Sequence, residues 1–434
     1  MSEPIEANTD PQLDANARAQ QEITRNFRWN FVVNSLDGAS YWFGYSFIAP
    51  IIILPLYISH FTSNPLLIGL IPFISTGGFL LPQLFTSNYV ERAPRKLWFP
   101  INLGFFLERL PVFLLAPTAY FLATNQPLLA MITFFILYTW YSCGAGLIIV
   151  GWQDLVAKII PVDKRGRFFG ITNAIGNGSG ILGALGVAFV LEKYTFPLGF
   201  VFSFTAAGIL ILVSWISLSL TREPAVYSTK PAVSQAEYLR SLPEILRKDP
   251  NFLKYLLAQI IFSLSGMATG FLIVYTARTW HLSDAQAGVL IIVMQVGQAL
   301  SNLVFGFLAD RTGHKLSLEI CLLLNVVSFA LAIVAPSPTW FYPIFFLRGA
   351  VFAGAFVSSI AIVLEFTTPE KRPTYIGVSN TIPGVAGTLA PLIGGWLAGA
   401  VSYPFMFILS TIFGAIALGI LHFTVREPRK IGPA

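Results

Sequence analysis

Long apolar runs broken by short charged clusters dominate the chain from residue 31 onward. Crossing a bilayer takes about 20 residues in a helix. Runs of that order lie at 31–59, 65–87, 97–121, 127–152, 168–191 and 197–220. A second six lie at 251–279, 285–308, 316–336, 340–366, 374–400 and 402–424. Lipid cannot satisfy backbone polar groups, and these runs are too long for barrel strands, so each is expected to be a helix. Pro50, Pro55, Pro111 and Pro383 mark places to kink. Residues 1–28 are polar and without an apolar leader, and read as a cytosolic tail with a short helix over 16–27. The longest connection, 221–250, is basic, with an amphipathic stretch around Tyr238, Leu242, Ile245 and Leu246. It reads as a linker helix on the membrane surface.

The two sets of six match each other. Asp163-Lys164-Arg165, Gly170, Asn173, Ile175 and Gly180 return as Glu370-Lys371-Arg372, Gly377, Asn380, Ile382 and Gly387 at one constant offset. Glu91-Arg92 and Lys96-Leu97 return as Asp310-Arg311 and Lys315-Leu316. Thr221-Arg222-Glu223-Pro224 returns as Val425-Arg426-Glu427-Pro428. Tandem hydrophobic units of this size are the pattern of a secondary transporter built from parallel repeats.

Charge then fixes the expected orientation. With the N-terminus cytosolic, 23 of the 27 Lys and Arg residues fall in tails and loops on that side, and only Lys193 and Arg278 lie opposite. That bias predicts twelve spans with both termini inside. The reading is an all-α membrane protein with twelve transmembrane helices in two six-helix bundles. The first bundle spans 29–220, the linker 221–250, the second bundle 251–425, and 426–434 forms a cytosolic tail. The 434-residue chain is 55% hydrophobic and 11% charged, against roughly 25% charged in a soluble domain. The net charge of +6 is scattered in small groups between apolar runs, so it points to membrane topology and excludes nucleic acid. Two cysteines, both in apolar stretches, exclude a disulfide framework, and four isolated histidines offer no metal cluster.

The loop after the eighth run reads Gly306-Phe-Leu-Ala-Asp310-Arg311-Thr-Gly313-His-Lys315. It resembles the G-x-x-x-D-R-x-G-[RK]-[RK] signature of major facilitator superfamily transporters. The first-half copy, Ser87 to Lys96, keeps Glu91 and Arg92 but has Ser87 and Pro94 where the signature has glycines. Pro161, Arg165, Gly166 and Gly170 resemble a second family loop, with Arg372 as its repeat. The resemblance implies a cytosolic gate built from Glu91, Arg92, Asp310 and Arg311, joined by Asp154, Arg165, Glu365 and Arg372. It also implies that helices 1, 4, 7 and 10 line the central path. Two marks of drug–proton antiporters in this family are missing, a glycine–proline motif in helix 5 and an arginine in helix 4.

Charges inside the apolar runs cost roughly 2.5–3.5 kcal/mol each on insertion scales and are functional candidates by default. Four stand out near the bilayer centre: Asp37, Glu108, Arg109 and Arg348. Asp37, Tyr41 and Tyr45 recur every fourth residue on one face of helix 1. Asp37 and Arg348 are expected to face the cavity from opposite halves. Asp37 reads as a proton carrier, because burial disfavours the ionised carboxylate, or else as a fixed ion pair or cap. Glu108 is a second proton candidate. Adjacent helical residues point about 100° apart, so Glu108 and Arg109 are not expected to neutralise each other; pairing with neighbouring helices is the preferred reading. Tyr41, Tyr45, Tyr138, Tyr141, Gln259, Gln295 and Arg348 are the cavity candidates.

The function read from all this is a secondary active transporter, not an enzyme, that moves a small organic solute by alternating access. It is coupled to a proton or another ion, leans to an amphipathic or hydrophobic substrate, needs no cofactor or metal, and works as a lipid-embedded monomer in the cell (inner or plasma) membrane. A sugar or metabolite permease of the same fold is the alternative. A polytopic membrane enzyme or a non-transporting sensor is the alternative of another class.

Overall fold

A computed structural model of the protein describes residues 11–225, 249–367 and 372–428. The proposed amphipathic linker helix around Tyr238 lies outside the described residues. Fourteen α-helices are present among those described: α1 (Pro11–Ser46), α2 (Ile53–Ser59), α3 (Pro65–Arg92), α4 (Leu110–Leu122), α5 (Pro127–Ile159), α6 (Val162–Lys193), α7 (Leu198–Ser219), α8 (Pro250–Ser265), α9 (Phe271–Trp280), α10 (Asp284–Thr312), α11 (His314–Val334), α12 (Phe341–Glu365), α13 (Arg372–Ala400) and α14 (Tyr403–Thr424). Ten stretches among them are long and apolar enough to cross a membrane. The expected runs at 31–59 and 168–191 are not among the ten. The first is cut by a break between α1 and α2, and several side chains of α6 lie outside the described residues.

Helix 1 departs from expectation at both ends. The tail helix expected at 16–27 is the start of one continuous element, α1. The apolar run then breaks between Ser46 and Ile53, where Pro50, lacking an N–H, cannot continue the ladder. The run at 251–279 breaks in the corresponding place. There α8 gives way to a 3-10 turn, Gly266–Ala268, before α9 resumes. The short segments beyond the two breaks, α2 and α9, pack on each other.

Helices α1 to α7 pack mainly among themselves, as do α8 to α14; the two groups meet along α3 with α13 and α6 with α10. The apolar core is distributed unevenly between them. At the end carrying residues 47–61 and 271–291, one cluster joins both groups, with Ile48, Ile52 and Tyr57 alongside Phe271, Leu272 and Ile291. At the opposite end the buried clusters are separate. Leu155, Ile159 and Phe168 belong to the first group, and Phe252, Leu318, Ile362 and Leu421 to the second. Polar contacts across the groups reinforce the joined end. His60 Nε2 lies 3.1 Å from Asp284 Oδ2, and Arg278 donates to the Thr62 and Ser63 carbonyls at 2.6 and 3.1 Å.

At the divided end each group is tied to itself by the repeated Arg-Glu-Pro segment. Glu223 accepts from the Lys96 and Leu97 amides at 2.7 and 2.9 Å and pairs with Lys158 at 2.7 Å. In the second group Glu427 packs against Gly313, whose φ of 94° suits only glycine; a Cβ there would strike the Glu427 carboxylate. A second tie repeats as well. The Asn30 amide donates to the Arg222 carbonyl and accepts from its N–H, each at 2.9 Å. Asn251 does the same to Arg426 at 3.0 and 2.8 Å.

Candidate functional site

Two buried polar nodes occupy the middle of the helices, one in each group. The first is built from α1, α5, α7 and the irregular start of α4. Asp37 is 3% exposed. Its Oδ1 accepts from Ser214 Oγ of α7 at 2.6 Å and its Oδ2 from Trp152 Nε1 of α5 at 3.2 Å. One turn further along α1, the Tyr41 hydroxyl donates to Glu108 Oε1 at 2.8 Å and lies 3.1 Å from the Tyr141 hydroxyl. Tyr45 stacks on Tyr41, and Tyr138 stacks on Tyr141.

Glu108 and Arg109 are both buried and pair with each other, Arg109 Nη1 donating to Glu108 Oε2. This corrects the expectation that they would not neutralise one another. The 100° argument holds for a regular α-helix, whereas residues Phe99–Leu103 and Phe105–Arg109 form π-helical turns. A π turn holds more residues per revolution, so successive side chains diverge less and both turn inward. The widened backbone is accommodated by α5, where Gly144 meets the Leu107 carbonyl with no room for a Cβ. The third apolar run therefore contributes its charges to the first node.

Fully ionised, the node holds two carboxylates against one guanidinium. Among the described residues no cation lies within ion-pair distance of Asp37, and none but Arg109 within that of Glu108. The alternative of a fixed Asp37 ion pair is therefore not what the structure contains. Nor does Asp37 face the cavity, as expected from sequence; it is enclosed between α1, α5 and α7, because Ser214 and Trp152 offer the donors a buried carboxyl group needs.

The second node surrounds Arg348 of α12, which is 8% exposed. Its Nη1 donates to Asn325 Oδ1 at 2.6 Å, its Nη2 donates to Thr269 Oγ1 at 2.7 Å, and the guanidinium lies over the Phe329 ring at 4.6 Å. Its Nε has no partner. Among the described residues no carboxylate reaches it. Arg348 and Thr269 line a cavity of about 220 Å³ between the two groups, walled by Ile51, Phe262, Met294 and Phe352. The offset that carries Asn173 to Asn380 also carries Tyr141 to Arg348. The repeat thus places a hydroxyl of the acidic node and the guanidinium of the basic node at equivalent positions.

The remaining sequence candidates sit elsewhere. Gln259 donates to the Tyr255 hydroxyl at 2.8 Å and borders a crevice inside the second group. Gln295 packs against Gly180 where α10 crosses α6. Of the gate candidates, Asp154 pairs with Lys96 at 2.9 Å, Glu365 lies 4.0 Å from His314, and Arg311 stacks over Phe307. The side chains of Glu91, Arg92, Arg165, Asp310 and Arg372 lie outside the described residues. No group of three or more His, Cys, Asp or Glu is placed to hold a metal ion among those described.

Sequence reading missed Ser214, Thr269 and Asn325. Each is a single neutral polar residue in an apolar run, a pattern that does not separate a functional partner from a helix-packing one. Glu223 and Lys158 were also missed, although the Arg-Glu-Pro repeat was a usable signal.

All of this arrangement but Asp37 lies within a match to the Major Facilitator Superfamily model over residues 38–276 and 255–434. The chain belongs to the major facilitator superfamily. It is accordingly a multi-pass integral membrane protein of a transporter family. Among curated relatives, it is 25% identical over 270 residues to an uncharacterized MFS-type transporter of Methanocaldococcus jannaschii, covering 58% of this chain and 63% of that one. A niacin transporter of Acinetobacter baylyi is 26% identical over 123 residues, 28% of each chain. Solute carrier family 22 member 2 of Rattus norvegicus is 30% identical over 143 residues, 31% of this chain and 24% of that one. The chain thus matches less than two thirds of the length of each. Among solved structures, a D-xylose–proton symporter superposes with a TM-score of 0.71 at 14% identity, over 92% of this superfamily member and 98% of the symporter. A bacterial homolog of the human lysosomal transporter Spinster, inward-facing and unoccupied, gives 0.66 at 13%, over 94% and 98%. At these identities the likeness is one of fold.

Proposed function

We propose that the protein is a proton-coupled secondary transporter that moves a small amphipathic solute by alternating access between two six-helix halves, twelve spans in all. The observation that carries the proposal is the acidic node: of its two buried carboxylates, Glu108 pairs with the guanidinium of Arg109, while Asp37 is held by the neutral donors Ser214 and Trp152. Buried charge that is left uncompensated is costly, so one proton belongs on this node in its resting condition. Losing and regaining that proton is the step that a gradient can drive. Tyr41 links the node through Tyr141 to α5, the helix that in this family lines the central path. Asp37 and Glu108 are the proton-coupling residues in this account, and Tyr41 and Tyr141 relay the charge state to the cavity wall.

The uneven core supports an inward-open state, with the joined end facing out, both termini in the cytosol and the protein in the plasma membrane. His60 with Asp284, and Arg278 with the 62–63 turn, form the outer closure. The gate residues Glu91, Arg92, Asp154, Arg165, Asp310, Arg311, Glu365 and Arg372 lie at the divided end, where the family's cytosolic gate forms in the opposite state. The mostly apolar cavity wall supports an amphipathic or hydrophobic solute.

The test uses purified protein in liposomes loaded with a pH-sensitive dye and challenged with a panel of amphipathic solutes. Solute-dependent proton movement is expected in the wild type and is expected to be lost in Asp37→Asn with the fold intact by circular dichroism. Equal proton movement in wild type and Asp37→Asn would remove Asp37 from the mechanism.

A further inference from the structure

We infer that the solute is an organic anion, a single carboxylate or equivalent anionic head on an apolar body, and that Arg348 is the group that binds its head. The inference deepens the transporter reading above and rests on it.

Arg348 is more than nine-tenths buried at membrane depth, and every hydrogen-bond partner it has is neutral: Asn325, Thr269 and, at 3.5 Å, Ser328. These partners orient the guanidinium without neutralising it. Natural proteins rarely leave a buried charge in that condition, because an isolated ion loses hydration that neutral groups only partly replace. The acidic node does not compensate it, since Asp37 and Glu108 are held by Ser214, Trp152, Tyr41 and Arg109 in the other half. Among the described residues, the second half therefore presents a positive charge without a carboxylate counter-ion.

The geometry says where the counter-ion arrives. Thr269 accepts from Nη2 and itself lines the cavity, at the break between α8 and α9. The guanidinium thus reaches the cavity at its Nη2 edge, where a carboxylate can take the place of the Thr269 hydroxyl. Arginine presents paired N–H groups in a planar fork matched to a carboxylate. Beyond that edge the wall is Ile51 from the first half with Phe262, Met294 and Phe352 from the second, which suits a hydrocarbon or aromatic body and provides nothing for a second charge. Ile51 lies in the other half, so a bound anion touches both halves at once.

Binding measured in detergent or nanodiscs, with no gradient, tests the inference separately from transport. The probes are benzoate, 4-phenylbutyrate and octanoate, each against its primary amide, with benzylamine as the cation and inorganic phosphate as an anion without an apolar body. Isothermal titration at constant ionic strength is the readout. At least one carboxylate is expected to bind about tenfold or more tightly than its amide, with benzylamine and phosphate weaker still. Arg348→Gln is expected to abolish that preference, and Arg348→Lys to reduce it while retaining the sign. The wild-type comparison of acid with amide needs no variant and decides the matter if Arg348→Gln does not fold. Amide binding equal to carboxylate, phosphate binding equal to benzoate, no binding by any carboxylate, or an undiminished preference in a folded Arg348→Gln would each overturn the inference. Carboxylate binding without proton-driven uptake would leave Arg348 as an anion site and remove only the proton-coupling proposal.

Discussion

At the scale of single residues, charge placement explains most of the site. Asp37 and Glu108 hold their carboxyl groups with different partners, so their substitutions should differ. Glu108→Gln leaves Arg109 buried without its acid, a change that typically costs 3–5 kcal/mol; a fall in melting temperature of several degrees is expected in a thermal scan. Asp37→Asn keeps an acceptor for Ser214 or Trp152 and introduces no unpaired cation, so its stability should change by less than about 1 kcal/mol while coupling is lost. A larger destabilisation by Asp37→Asn than by Glu108→Gln would contradict this assignment of partners. The candidates themselves were legible in the sequence, because a charge inside an apolar run stands out. Their partners were not. Ser214, Thr269 and Asn325 look like ordinary helix-packing residues until the fold brings them to a charge.

At the scale of elements, irregular helix segments place these charges. The π turns before α4 bring Glu108 and Arg109 inward together, and Gly144 of α5 lets the widened backbone approach. Gly144→Ala should push the Leu107 carbonyl away, costing about 1–3 kcal/mol and moving Glu108 off Tyr41. The check is a thermal scan together with the liposome proton assay. Wild-type values for both would mean that α5 does not fix the π turn. The sequence offered Pro111 near these turns but no pattern that distinguishes π from α. The break after α8 was equally hidden, since Gly266 and Gly270 sit in an unbroken apolar run. The apolar runs themselves were readable, and so were the repeated clusters, although only the structure gave the Arg-Glu-Pro segment its task of tying each half to the start of the third run of its own six.

At the scale of the whole molecule, the two halves are tied internally at the divided end and joined to each other at the opposite end. Beside the apolar cluster that joins the halves there, the polar closure at the joined end is light: one His60–Asp284 pair and the two Arg278 bonds, all solvent-exposed or half-buried. Exposed pairs of this kind are worth up to about 1 kcal/mol, so Asp284→Asn should shift the balance toward opening of the joined end by roughly fivefold or less and leave the melting temperature within about a degree. The all-helical, multi-pass fold was readable from hydropathy and repeats, because those patterns are set by the bilayer; ten of the twelve expected runs are long and apolar enough to cross it among the described residues. The state of the molecule was not, since both states use the same helices. The account stands most directly on reciprocal opening of the two ends. Spin labels at Ser63 and Leu282 report the joined end, and labels at Ala157 and Thr312 the divided end, on a background with Cys143 and Cys321 replaced by serine. Pulsed dipolar distances on lipid-embedded protein, at two pH values and with a bound carboxylate probe, should show a short joined-end and long divided-end population exchanging with its inverse. Distances at both ends that stay fixed, or that lengthen together, would contradict alternating access by this protein.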